Sequence, residues 1–226
     1  MNINSAIPYY IPAQTPRQTL APLPTNPPSS DVSTHQEKKE AYAKEFYTRE
    51  EEPWNKISYD YMQDGVPVSM QHYAKECYLL SMRVSAAREL GNQELFFGAF
   101  KKQVAHIRPD LAEKNFSFTL GDDAEIKILD PGKKLNDDDL QWLTRAINSD
   151  GDFKGSVREG AKLIMTIFDH DSKNLSGKTN LNLLNFQDIV DLGKVLSDPI
   201  DMTEGWMKQV KEHDEKNGNS LINTYA

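Results

Sequence analysis

The first thirty residues, MNINSAIPYYIPAQTPRQTLAPLPTNPPSS, contain seven prolines, no acidic side chain and a single charge, Arg17. All 34 acidic residues lie from Asp31 onward. This boundary restricts where a core can be built. Pro8, Pro12, Pro16, Pro22, Pro24, Pro27 and Pro28 each fix φ, remove an N–H donor and bias the preceding residue away from helix. The residues between them are mostly Asn, Gln, Ser, Thr and Ala. They offer little apolar area against a backbone ordering cost of roughly 1–2 kcal/mol per residue. Residues 1–33 are therefore expected to form a disordered leader, and the remainder to supply one domain.

Composition excludes several classes of function. Hydrophobic residues make up 38% and mean hydropathy is -0.65, enough for a core beneath a hydrated surface. No run approaches the roughly 18 apolar residues of a membrane span. The start lacks the basic and apolar regions of a Sec-type signal peptide. Net charge is -8, and the basic pairs Lys38-Lys39, Lys101-Lys102 and Lys133-Lys134 sit among acids or next to them. That pattern disfavours binding to nucleic acid or to an anionic membrane. Cys77 is the single cysteine, so an intrachain disulfide and a cysteine-based zinc cluster are both excluded.

The leader is uniform in composition but carries short apolar pieces, such as Pro8-Tyr9-Tyr10-Ile11-Pro12, that can dock as extended strand or polyproline II. Pro8, Pro12 and Pro16 recur at four-residue intervals rather than the three of a PxxP ligand. In being rich in Ser, Thr, Pro and Asn and free of acid, it resembles the N-terminal secretion signals of bacterial type III effectors. The resemblance covers about 33 residues and is one of composition. It implies an uncleaved, unfolded export signal, a non-Sec route of secretion and a secretion chaperone as a partner near the N-terminus. The alternative is a Pro-rich tail on a cytoplasmic protein.

From residue 34 the pattern is helical, and the fold class expected is mainly α (α+β): a helical domain over 34–218 with one short β-hairpin near 116–129, and a loose tail over 219–226. The stretch 34–52 reads as a surface helix ending before Pro53, and 53–67 as an irregular connection packed down by Trp54, Ile57, Tyr59 and Tyr61. Met70, Tyr73, Cys77, Leu80, Val84 and Ala87 recur at spacings of three and four, one face of a helix capped by Ser69 and stopped by Gly91. Asn92 opens a second helix presenting Phe96, Phe100, Val104 and Ile107, so the pair is expected to form an antiparallel helical hairpin. Phe116–Leu120 and Glu125–Leu129 alternate at period two around Gly121-Asp122-Asp123, which predicts the β-hairpin. Asn136 caps a helix over Asp137–Asn148 that points Leu140, Leu143 and Ile147 inward. Ser156 and Glu159 make a capping box for a helix burying Val157, Ala161, Ile164 and Phe168. Phe186–Leu196 presents Ile189, Leu192 and Leu196. A last helix, opened by Asp201 and Glu204 and stopped by Asn217-Gly218, presents Met202, Trp206 and Val210.

No motif names a reaction, and catalytic residues and cofactors cannot be assigned. Asn148, Asp150, Asp152 and Glu159 fall at positions 1, 3, 5 and 12 of an EF-hand loop. Phe153 replaces the glycine of position 6, however, and Gly155 stands where an apolar residue belongs. Asp169-His170-Asp171 with Asn174 begins a second such loop but ends on Asn180 instead of Glu. Both read as solvated acidic turns, with no metal assigned. Cys77, with His72 or His106 as base, has the residue types of a thiol nucleophile, but its place within an apolar stripe fits a small core hydrophobe. His35 and His213 stand in charged segments. Asp122-Asp123 and Asp137-Asp138-Asp139 fit turns and caps better than a glycosidase pair. The reading is an effector-like protein that binds a protein partner. An enzyme of unrecognised family and a cytoplasmic helical adaptor are the alternatives.

Overall fold

Eight helices and two hairpins make up the computed structural model, which describes residues 31–171, 180–197 and 202–222. The fold is mainly α, as the periodicity predicts. Helix α1 spans Asp31–Phe46, α2 Ala74–Ile107, α3 Pro109–Ala112, α4 Asp137–Asn148, α5 Gly151–His170, α6 Leu183–Ile189, α7 Leu192–Leu196 and α8 Met202–Ile222. Strands β1 Asp60–Gln63 and β2 Val66–Ser69 pair antiparallel, as do β3 Ser117–Leu120 and β4 Ile126–Leu129. One buried cluster runs from Phe46 in α1 to Val210 in α8. Of the expected leader over 1–33, residues 1–30 lie outside the described residues, and 31–33 belong to α1 instead.

The largest departure from the sequence pattern is α2. Gly91 and Asn92 do not end a helix; the chain continues through them for 34 residues, so the expected helical hairpin is a single rod. A mid-helix glycine costs roughly 1 kcal/mol relative to alanine. Leu90, Gln93 and Phe97 around it are all buried, and this packing outweighs the local cost. The buried face reads Leu79, Ala86, Leu90, Gln93, Phe97, Phe100 and Val104, a seven-residue step followed by three- and four-residue spacing. It lies against α5, where Gln93 Nε2 donates to the Ser156 carbonyl at 3.0 Å. Helix α2 ends at Ile107, and Arg108 leaves helical geometry ahead of Pro109.

Strand β3 is buried on both faces, which positions the rest of the core. Phe118 lies 4.7 Å from the Phe97 ring and 5.3 Å from Phe153, tying the hairpin to α2 and α5. Such ring pairs contribute about 0.5–1.5 kcal/mol each beyond area burial. On the other face Thr119 Oγ1 donates to the Val190 carbonyl at 2.6 Å, and Ser117 donates to Asp191. A continuous helix over Phe186–Leu196 is expected from sequence, but the chain breaks at Val190 into α6 and α7, and these bonds hold the break against β3.

Asn136 caps α4 as predicted, its Oδ1 accepting from Asp139 N at 2.8 Å. Helix α5 begins five residues before the expected box. Asp150 is the cap, and Ser156 is buried inside the helix donating to Glu89 Oε2 at 2.9 Å. The Ser156–Glu159 pair is thus not a helix start. Helix α1 stops at Phe46, short of Pro53: Phe46 is buried beneath Arg158 and Lys162, and Tyr47 turns to donate to Asp169 at 2.6 Å. Helix α8 continues past Asn217-Gly218 to Ile222, so residues 219–222 belong to it rather than to a loose tail.

Candidate docking surface

The stripe that sequence assigns to the core points into solvent. Tyr73, Leu80 and Val84 are exposed, the last two at 62% and 63%, and Leu95 extends the same side of α2 at 75%. Cys77 is half-buried on this side. An isolated exposed leucine has no significance, whereas a row at helical spacing along one rod is an unpartnered face. Gly91 and Gly98 are open to solvent as well; a Cβ built on either meets no atom within 4 Å. The outward face is therefore apolar and narrow over about six turns, a surface that lets another helix approach closely.

The segment expected to be irregular forms a second hairpin beside the start of α2. Asp64 and Gly65 have φ of 50° and 79°, the left-handed pair that a two-residue hairpin turn requires. The Asp-Gly dipeptide was the signal for it. Its side chains are largely solvent-facing: Tyr61, Met62 and Val66 are all exposed, as is Ile57. Tyr61 and Ile57 therefore do not pack the segment down, but Trp54 does. Its ring meets His170 edge-on at 5.2 Å and carries Lys75 Nζ 5.0 Å above it. Tyr59 sits at the hairpin base with its hydroxyl buried and no hydrogen-bond partner. Burial pushes this phenol above its ordinary range, and Cys77 adds to the shift.

Register leaves one hairpin edge open. Tyr59 O accepts from Met70 N, so bonded pairs fall at Tyr61/Val68 and Gln63/Val66, with Asp60/Ser69 and Met62/Pro67 between them. Pro67 has no N–H to offer outward and blunts β2. Asp60 and Met62 turn their backbone groups away from β2 along the free side of β1.

The candidate chemical residues do not converge. Asn148 is no metal ligand: its Oδ1 accepts from Ile126 N at 2.8 Å, and its Nδ2 donates to the Ile126 and Thr144 carbonyls. It caps β4 as a surrogate strand. Asp150 accepts from Asp152 N and Phe153 N. Because α5 starts at Gly151, positions 4 to 12 of the supposed EF-hand loop are helix, and Glu159 is exposed on it. Asp169 accepts from Tyr47 and Asp171 pairs with Arg83; Asn174 lies outside the described residues. His72 stacks edge-on with Tyr73 at 5.0 Å, and His106 lies at the other end of α2. Asp122 accepts from Lys39 at 2.6 Å, and Asp139 from Arg108 and Lys114 at 2.8 Å each. Among the described residues no three His, Cys, Asp or Glu side chains form a metal-holding group, and no helix is long and apolar enough to cross a membrane. Comparison with protein-family models, with curated proteins and with solved structures gives no match.

Proposed function

We propose that this chain is a secreted, effector-like bacterial protein whose helical domain binds a partner protein through the outward face of α2. The supporting observation is the solvent-facing row Tyr73, Leu80, Val84 and Leu95. These residues stand 7, 4 and 11 positions apart, which keeps them on one side of the rod and fits an amphipathic helix of the partner lying along α2. Arg88, 70% exposed, flanks the middle of the row. It lies 3.4 Å from Glu89 but keeps its guanidinium largely exposed, so a partner carrying acid there fits. The export half of the proposal is supported by the acid-free, proline-rich leader.

Two measurements test the two halves separately. A reporter fused to residues 1–33 should leave bacterial cells only when a type III apparatus is present; retention in both strains would overturn export. For the domain, a photocrosslinking residue at Leu80 should label one protein at a helical segment, and Val84→Asp should abolish the crosslink without lowering thermal stability. A crosslink only to a second copy, or a large stability loss in Val84→Asp, would remove α2 as the docking face.

A further inference from the structure

Away from the docking face, a cleft of about 690 Å³ opens between the C-terminal half of α2, the segment leading into β3, and α7. Its volume is within the range of small-molecule sites. Phe97, Val104 and Phe116 form the floor, and Phe97 and Phe116 meet edge-on at 6.0 Å. Three ammonium groups border it: Lys101, Lys114 and Lys194. Lys101 Nζ stands 4.8 Å over the Phe97 ring, which holds a cation directly above the apolar floor.

Two acids line the cleft as well, Glu113 and Asp191. Glu113 is exposed at the rim, and Asp191 is occupied, since it accepts from the Ser117 hydroxyl and from Lys194 N at 2.9 Å. Lys114 is partly committed to Asp139 at 2.8 Å. Lys101 and Lys194 are both exposed at the rim, with Asn115 and Ser197 beside them as neutral hydrogen-bonding groups. The wall is closely built: a Cβ on Gly193 would fall on the Ser117 hydroxyl and come within 3.2 Å of Phe118 N, so glycine lets α7 close against β3.

We infer that this cleft binds a small amphiphilic anion, an apolar chain or ring on the Phe97–Phe116 floor with its carboxylate or phosphate head held by Lys101 and Lys194. The head-group charge makes the specific demand, because the floor alone would accept a neutral molecule equally well.

Titration calorimetry of the full chain with decanoate, decyl phosphate and decanol, each below its aggregation limit, tests this. At least one anion should bind saturably at one per chain, at least tenfold tighter than decanol, and weaken as KCl rises from 0.05 to 0.5 M. The tighter of the two heads identifies the source, a carboxylate or a phosphate ester. Lys101→Glu with Lys194→Glu should abolish saturable binding while the melting midpoint stays close to wild type. If that double variant unfolds, Lys101→Gln and Lys194→Gln, tested singly, should each weaken the anion and leave decanol unchanged. Equal affinity for decanol, no saturable binding, or binding that survives the lysine substitutions would overturn the inference.

Discussion

At the residue scale, His170 shows how position decides chemistry. In the sequence it stands between two aspartates, which would raise an imidazole. In the fold it is 4% exposed, edge-on to Trp54 and near Tyr78, while the two acids bond elsewhere. Burial lowers its basicity first, and Arg49 and Lys75 repel its charged form more than Asp169 and Glu51 restore it. The folded state therefore favours neutral His170, and the unfolded chain takes the proton first. Its contribution to stability is complete above the unfolded value of about 6.5 and is lost as pH falls through it toward the lower folded value. Urea midpoints should fall between pH 7.5 and 5.5, and His170→Phe should flatten that slope. Equal slopes in both proteins would contradict the assignment. Cys77 carries the same lesson in reverse: its stripe looks like core, yet the thiol is only half-buried beside an exposed leucine row.

At the element scale, the glycines separate local from tertiary control. Gly91 lies mid-helix with open space around it, so Gly91→Ala should stabilise the domain by about 0.5–1 kcal/mol. In Gly193→Ala the new methyl meets strand backbone as well as a side chain, and the variant should lose about 1–3 kcal/mol or more as α7 is pushed off β3. Chemical denaturation of the two variants decides this, and a common sign would show that the α2 rod or the α7 contact is wrong. The β3–β4 hairpin and α4 were legible because their signals are local: a period of two around a Gly-Asp-Asp turn, and an asparagine cap. The β1–β2 hairpin carried a local signal in Asp64-Gly65, but Pro67 within the second strand masked it, and the segment read as irregular. What could not be read was which of two apolar faces of α2 turns inward. Both have helical spacing, and only α5, over sixty residues later, selects the one carrying Leu90, Phe97 and Val104.

At the scale of the whole molecule, limited proteolysis of the full chain should remove about the first thirty residues quickly and leave a core beginning near α1. The leader lacks apolar periodicity, whereas Phe46 and the residues after it enter a shared cluster. A leader as resistant as the core would overturn the two-part organisation. The sequence by itself determined the mainly helical class, the β3–β4 hairpin and the inward faces of α4 and α5. Each rests on turn residues or periodicity acting within about twenty residues. Tertiary structure alone decided that Gly91 is bridged, that the Tyr73–Val84 stripe faces out, that Asn148 completes a strand, and that lysines from α2, α7 and the segment before β3 border one cleft. These depend on contacts across 20 to 100 positions, where the packing energy of a buried face exceeds the roughly 1 kcal/mol preference of any single helix stop.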